Sequence, residues 1–457
     1  MLDILPLLQI KKREKMKQLV VIFTLWLVWM PVGAQKTLTL EECLKLGIEN
    51  NLSLEGSRNE MRKAKHLLSE NRAKLWPQIS AVAGFNDNFN PPVSVTDGLA
   101  YGNLYNVTKT LQYNASAGLQ LQMPLYNQTV YTAVDIARTL NELNRLSYEK
   151  AREDLMMQIS KMYYLGQNTM EQLTLIQENM VRLRELRDIT LAFFDNGMAM
   201  EVDVKRVNIN LENQQVQYDN AKSMLVQQLN LLKYVMDYPA EEEITLTPVD
   251  TERMQSASLT GLRSDLYELQ LLQSQEKLAG QQKDLIRQGY LPSLTLTGNW
   301  MYSAYTDKAY HWFHSGPSNH WYPSTGLGIT LRVPIFDGFD KRARIRKAQI
   351  DQENAKLNYE NTLKNMQTQY LNATNELMNN QRNFKKQKDN YLLAEDVYQV
   401  TTDRYREGIA SMTEVLQDEM RMSEAQNNYL SAHYNYQVAN LALLKLTGQM
   451  DRLLQGN

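Results

Sequence analysis

The sequence predicts a mainly helical chain that also carries membrane β-strands, laid out as a strand–strand–helix–helix unit present twice. Three observations lead there. In 324-STGLGITLRVPIFDGFDKRARIRKAQ-349 an apolar period of two changes abruptly to a period of about 3.5. The same order of patterns occurs in the first half of the chain, at an offset of roughly 210–215 residues. Beyond residue 35 no apolar run approaches the roughly 18 residues of a helical membrane span, so only strands could cross a bilayer.

The N-terminus, residues 1–34, reads as an export signal. Lys17 precedes the apolar run 19-LVVIFTLWLVWM-30, and Val32 and Ala34 satisfy the small-residue rule for cleavage before Gln35. Met16 makes a better start than Met1. An N-terminal anchor helix is the alternative, although the run of about 12 residues is short for a span. No cysteine directly follows it, so a lipid-modified mature N-terminus is not predicted.

The first repeat, 35–237, opens with a helix over 38–75, with Thr39 at its N-cap and Glu42 three residues on, the pattern of a capping box. It ends at Trp76-Pro77. A strand over 79–89 and a loop over 90–111 follow. In the next strand Tyr113, Ala115, Ala117, Leu119, Leu121 and Met123 lie on one face, and Asn114, Ser116, Gly118, Gln120 and Gln122 on the other. Pro124 closes it. A helix runs from about 128 to 195, a break falls at 195-DNGMAM-200, and a second helix reaches about 237.

Residues 238–260 read as an irregular linker with Pro239, Glu241–Glu243 and Pro248, and the order then restarts in the second repeat, 261–449. A helix covers about 261–288, Pro292 follows, and a strand carries Leu294, Leu296, Gly298, Trp300 and Tyr302 on one side. A loop spans 306–323. The next strand places Leu327, Ile329, Leu331, Val333 and Ile335 on one face and meets Pro334. From Ile345 a heptad of about 60 residues predicts a helix roughly 90–100 Å long. After a break at 407-EGIAS-411 a last helix runs to about 447, followed by a tail over 450–457. Pro77, Pro124, Pro292 and Pro334 mark the strand–helix junctions, because proline suits neither a central ladder position nor a helix interior.

Composition excludes several functions. A net charge of −2 gives no electrostatic reason for a nucleic-acid partner, and basic 341-KRARIRK-347 reads as interfacial charge or inner-wall lining. The single Cys43 reads as a packing residue within an amphipathic helix. The five histidines include His311, His314 and His320 in one loop, but no His, Cys and carboxylate set has metal-ligand spacing. No nucleophile–base constellation is visible, so neither enzyme chemistry nor a cofactor is predicted.

Four strands, each with one apolar face, suit a tilted membrane crossing, yet four cannot close a barrel, and an open edge in lipid leaves backbone groups unsatisfied. The chain therefore needs copies of itself: a homotrimer would supply 12 strands, enough for a water-filled lumen. Aromatic residues around the strands, among them Trp300, Tyr302, Tyr305, Tyr310, Trp312, Phe313, Trp321, Tyr322, Tyr101, Tyr105 and Tyr113, fit an interfacial girdle. The final helix carries two neighbouring apolar stripes, one through Met412, Val415, Met422 and Tyr429 and one through Leu416, Met420, Leu430 and Tyr434. Two stripes call for two neighbours, as in a barrel of helices.

The order of elements, the strand–proline–long-helix junctions and the two break motifs, 193-FFDNGMAMEVDV-204 and 404-RYREGIASMTEVL-416, resemble the TolC-type outer-membrane efflux proteins over about residues 37–449. The resemblance implies a trimeric 12-stranded β-barrel in the outer membrane, continued by a long α-helical barrel across the periplasm with an equatorial girdle at 37–55, 238–262 and the C-terminus. It implies an exit duct of a tripartite efflux pump or type I secretion system, passive, serving a periplasmic adaptor protein and an inner-membrane transporter. The competing reading is a periplasmic coiled-coil scaffold with a small β-domain. The two helical breaks become tips. Gly197, Met198, Asp203, Val204, Gly408, Ile409, Ala410 and Val415 then stand where the family meets its adaptor. Glu414 stands at the family's first gating aspartate. The second position is Gln417 here, with Asp418 one step further, so one acidic ring or two remain open, as do plain solvated helix-tip charges.

Overall fold

The computed structural model describes residues 36–97, 105–248, 261–308 and 320–455. The expected signal segment 1–34, the later part of the expected 238–260 linker, and Tyr101, Tyr310, His311, Trp312, Phe313 and His314 lie outside the described residues. The chain forms two compact units, each drawing segments from both sequence repeats. One, the sheet unit, comprises Gly56–Lys150 and Ser264–Asn365; the other, the helical unit, comprises Met1–Glu55, Ala151–Arg263 and Met366–Asn457.

The sheet unit is built on β2 (Gln78–Asp87), β5 (Tyr113–Tyr126), β7 (Ser293–Thr306) and β8 (Trp321–Arg332). They form one antiparallel sheet in the order β2-β5-β7-β8, so the two repeats meet at the central β5–β7 pair. The register aligns Ile79 with Leu121, Leu121 with Gly298, and Gly298 with Leu327, which puts the apolar residues of every strand on one face. Pro77, Pro292 and Pro334 sit just outside the strands. Pro124 does not close β5: pairing continues to Tyr126 across a register shift between Pro124 and Tyr126, a bulge that absorbs the missing N–H. Within the expected 90–111 loop, β3 (Val93–Asp97) and β4 (Tyr105–Lys109) make a separate hairpin.

In the helical unit, β1 (Lys36–Leu38) pairs in parallel with β6 (Ile244–Leu246), so the expected linker contributes a strand. The first helix is two, α1 (Leu40–Asn50) and α2 (Leu52–Ala73). Asn51 explains the break. Its N–H donates to Gly47 O at the end of α1, while its side-chain oxygen accepts from Leu54 N at the start of α2. Its amide also donates to Val235 O at 2.8 Å. The capping box at Thr39 and Glu42 is present, with Thr39 N donating to Glu42 at 2.8 Å and Glu42 N to Thr39 Oγ1 at 3.2 Å. Cys43 is fully buried, and burial pushes its thiol up to about 12, which makes it inert.

The long helices are α3 (Gln128–Asp195), α4 (Glu201–Met236), α5 (Tyr267–Gln288), α6 (Asp340–Arg406) and α7 (Met412–Leu446). A 3-10 turn over Met450–Leu454 follows, packed against α1 and α7. The N-terminal, linker and C-terminal segments thus gather in the helical unit.

Candidate functional site

Two regions carry functional geometry, the sheet in one unit and the tips of the helical hairpins in the other. On the sheet, Leu119, Trp300, Leu327 and Ile329 stand exposed on the apolar face; Gln120, Thr297, Asn299 and Gly328 alternate with them on the opposite face. The ten-residue β2 rises about 34 Å. At a tilt of roughly 40° that matches an apolar band of about 25 Å. Aromatic residues bracket the band. At the hairpin end Phe85 stacks on Tyr113 with centroids 6.2 Å apart, and Tyr302, Tyr305 and Tyr322 are exposed. At the helix-joining end, fixed by the register, Trp76, Tyr126 and Tyr290 are exposed. The outer strands β2 and β8 each pair on one side only among the described residues.

The tips share one backbone. Helix α3 ends where Gly197 N bonds Phe194 O at 2.9 Å and Met198 N bonds Phe193 O at 2.8 Å. Helix α6 ends where Gly408 N bonds Tyr405 O at 3.0 Å and Ile409 N bonds Arg404 O at 2.8 Å. Gly197 and Gly408 have φ of 71° and 77°, the left-handed conformation that reverses the chain at a helix end. The predicted tip residues divide by surroundings. Gly197, Met198, Gly408 and Ile409 are exposed and Asp203, Val204 and Ala410 half-buried, whereas Val415 is fully buried in the tip core with Leu183, Leu186, Val207 and Met412.

The three candidate gate residues are brought to one side of α7, and two of them already have work. Glu414 completes a capping box: Ser411 N donates to its Oε2 at 2.9 Å, and Glu414 N donates to Ser411 Oγ at 3.3 Å. Asp418 accepts from Thr401 Oγ1 on α6 at 2.8 Å and pairs with Arg421 at 3.4 Å, and its side chain is only 13% exposed. Gln417 is exposed.

Sequence reasoning missed the polar layer behind the tip core. Glu419, 4% exposed, accepts from Gln214 Nε2 at 3.3 Å, and burial holds its carboxyl above the usual range. Arg182 reaches Asn179 at 2.5 Å and Glu395 at 3.4 Å, and Asn179 donates to Gln426 Oε1 at 2.7 Å. Tyr405 OH donates to Thr190 Oγ1 at 3.4 Å and ties the two hairpins together near their tips. Polar residues at heptad core positions, namely Gln214, Glu419 and Gln426, were the available signal. His433 is wholly buried beside Phe384, 5.2 Å between centroids, with Tyr429 stacked at 6.3 Å. Neither ring nitrogen has a hydrogen-bond partner among the described residues, and burial with the nearby Lys388 drives its pKa down to about 4.

Among the described residues no group of three His, Cys, Asp or Glu is placed to hold a metal ion, and no helix is long and apolar enough to cross a membrane.

Comparison with known proteins gives a consistent result. A family model described as outer membrane efflux protein matches residues 44–236 and 263–449. Outer membrane protein TolC of Vibrio cholerae serotype O1 is 23% identical over 325 residues, 68% of this chain and 68% of that protein. Two solved structures share the fold. The outer membrane protein VceC from Vibrio cholerae has a TM-score of 0.73 at 15% identity, covering 90% of this chain and 96% of that one. The open state of the Neisseria gonorrhoeae MtrE outer membrane channel has a TM-score of 0.73 at 18% identity, covering 90% and 88%.

Proposed function

Because the chain belongs to the outer membrane efflux protein family, we propose that it is the passive exit duct of a tripartite efflux pump or type I secretion system, anchored in the outer membrane and reaching into the periplasm. The observation that carries this reading is the four-stranded sheet with an exposed apolar face and, among the described residues, two open edges. An apolar sheet face in water would aggregate, and an unpaired edge in hydrocarbon leaves each N–H and C=O unsatisfied. Both costs vanish when copies of the chain pair edge to edge inside a bilayer. Three copies give a 12-stranded barrel with the Gln120 and Asn299 face lining a wet lumen. The scaffold reading offers no occupant for the apolar face and is set aside.

The tips are the meeting point with a periplasmic adaptor, through exposed Met198 and Ile409 around the Gly197 and Gly408 turns, with Asp203, Val204, Ala410 and Val415 shaping the surface from behind. Energy comes from an inner-membrane transporter, and no side chain here performs chemistry. Glu414 and Asp418, with Gln417 between them, are the gate: copies related by the trimer axis would bring like carboxylates together, repulsive unless screened or cation-bound.

Single-channel recording of the detergent-extracted trimer in planar bilayers tests the reading. Low, cation-selective conductance is expected, rising in the Glu414→Ala and Asp418→Ala variants. Absence of any channel activity from intact trimers would overturn the duct. Channels indifferent to both substitutions would overturn the acidic gate alone.

A further inference from the structure

The basic run 341–347 has a placement that neither the sheet nor the helix accounts for. It lies at the helix-joining end of the sheet, in the first two turns of α6. Lys341 is engaged, bonded to Asp337 at 3.1 Å and held over the Tyr290 ring at 5.2 Å, and Arg344 pairs with Asp340 at 3.5 Å. Arg342, Arg346 and Lys347 are exposed and form no ion pair among the described residues. Three unpaired cations at a helix N-terminus oppose the helix dipole and repel one another, so helix stability is not their reason. Immediately before them, Ile335 is 95% and Phe336 76% exposed, and Phe336 meets the exposed Phe339 edge-on at 5.6 Å. Ile335 follows three residues after Arg332, the last paired residue of β8.

We propose that this collar is a docking surface for anionic phospholipid headgroups of the periplasmic leaflet. Ile335, Phe336 and Phe339 sit at acyl–headgroup depth, and Arg342, Arg346 and Lys347 reach the phosphates one layer further out. Apolar anchors beside unpaired cations match a charged bilayer surface, which offers both partners at that spacing. The collar directly follows, in the chain, the strand whose apolar face is assigned to the bilayer. The inference rests on the sheet spanning a membrane, which the channel recording tests separately.

The test is native mass spectrometry of the detergent-extracted protein offered equal amounts of dioleoyl phosphatidylglycerol and dioleoyl phosphatidylcholine. Wild type is expected to retain the anionic lipid in excess by on the order of tenfold, and 0.5 M salt is expected to remove most of that excess. The triple variant Arg342→Gln, Arg346→Gln, Lys347→Gln is expected to assemble, conduct and retain both lipids equally. Equal retention by wild type overturns the proposal whatever the variant does. So does a variant that keeps the preference, or one that loses assembly while wild type shows none, since the cations would then belong to an interface between copies.

Discussion

The two hairpin tips are copies with the same backbone and different side-chain chemistry. Gly197 and Gly408 turn the chain through matching hydrogen bonds, 211 residues apart in sequence. Yet Met200, at the N-cap of α4, makes no capping bond, whereas Ser411, at the N-cap of α7, closes a capping box with Glu414. The helices that follow diverge further. Positions buried in α7 as Glu419 and His433 correspond to Asn208 and Lys222 in α4, both exposed. Duplication preserved what the backbone needs, namely a glycine at positive φ. Side chains were left to follow their neighbours: α7 is enclosed and α4 has one side open.

The sharpest way to break that contrast is a charge at matched positions. Val415→Asp, in a fully buried site, is expected to cost about 4 kcal/mol or more, against about 1 kcal/mol or less for Val204→Asp. Hydrogen exchange at the two tips would read the difference, and equal costs would mean that α4 is as enclosed as α7. Next in size is acid sensitivity. The unfolded chain protonates His433 below about pH 6.5, while the folded chain, with Phe384 and Tyr429 against the ring, Lys388 nearby and Glu171 occupied by Tyr429, resists until about pH 4. Stability therefore falls as pH drops through that window, by up to about 3 kcal/mol. His433→Phe should flatten this arm of the melting-temperature profile, and Lys222→Phe should leave it unchanged.

Smaller effects test the shared backbone. Gly197→Ala and Gly408→Ala should each cost about 1–2 kcal/mol, and by the same amount, because both sites demand the left-handed region. Thermal melts that separate them clearly would show that the turns are not equivalent. The smallest expected effect is at the caps. Ser411→Ala should lose about 1 kcal/mol and Met200→Ala almost nothing, while Met200→Ser should gain a few tenths to 1 kcal/mol by supplying the missing acceptor.

Much of this was legible in the sequence because periodicity is local. The ends of α3, α4 and α7 fall within a residue or two of the pattern, since the breaks at 195–200 and 407–411 interrupt the apolar period. The strand faces of β5, β7 and β8 were readable for the same reason. What stayed hidden depends on distant partners. Residues 36–38 carry too few positions to show a period, and β1 exists because Ile244–Leu246 lies alongside. The break at Asn51 interrupts no apolar stripe, and the β3–β4 hairpin lies in a stretch whose prolines and glycines read as loop. At the tips, the family resemblance singled out Glu414 and Asp418 but could not reveal that one caps a helix and the other is bonded to Thr401. Those are facts about neighbours.

The β1–β6 pair has a consequence for how the chain comes to be assembled. Leu38 receives a backbone bond from Thr247 and another from the Tyr163 hydroxyl, and Thr247 also bonds it through a side chain 209 residues away. Lys36–Leu38 thus cannot find its place early, because its partner strand is delivered only after more than half of the polypeptide. Closing so long a loop costs entropy that no local contact repays in advance. Until then Lys36–Leu38 has no strand to lie against.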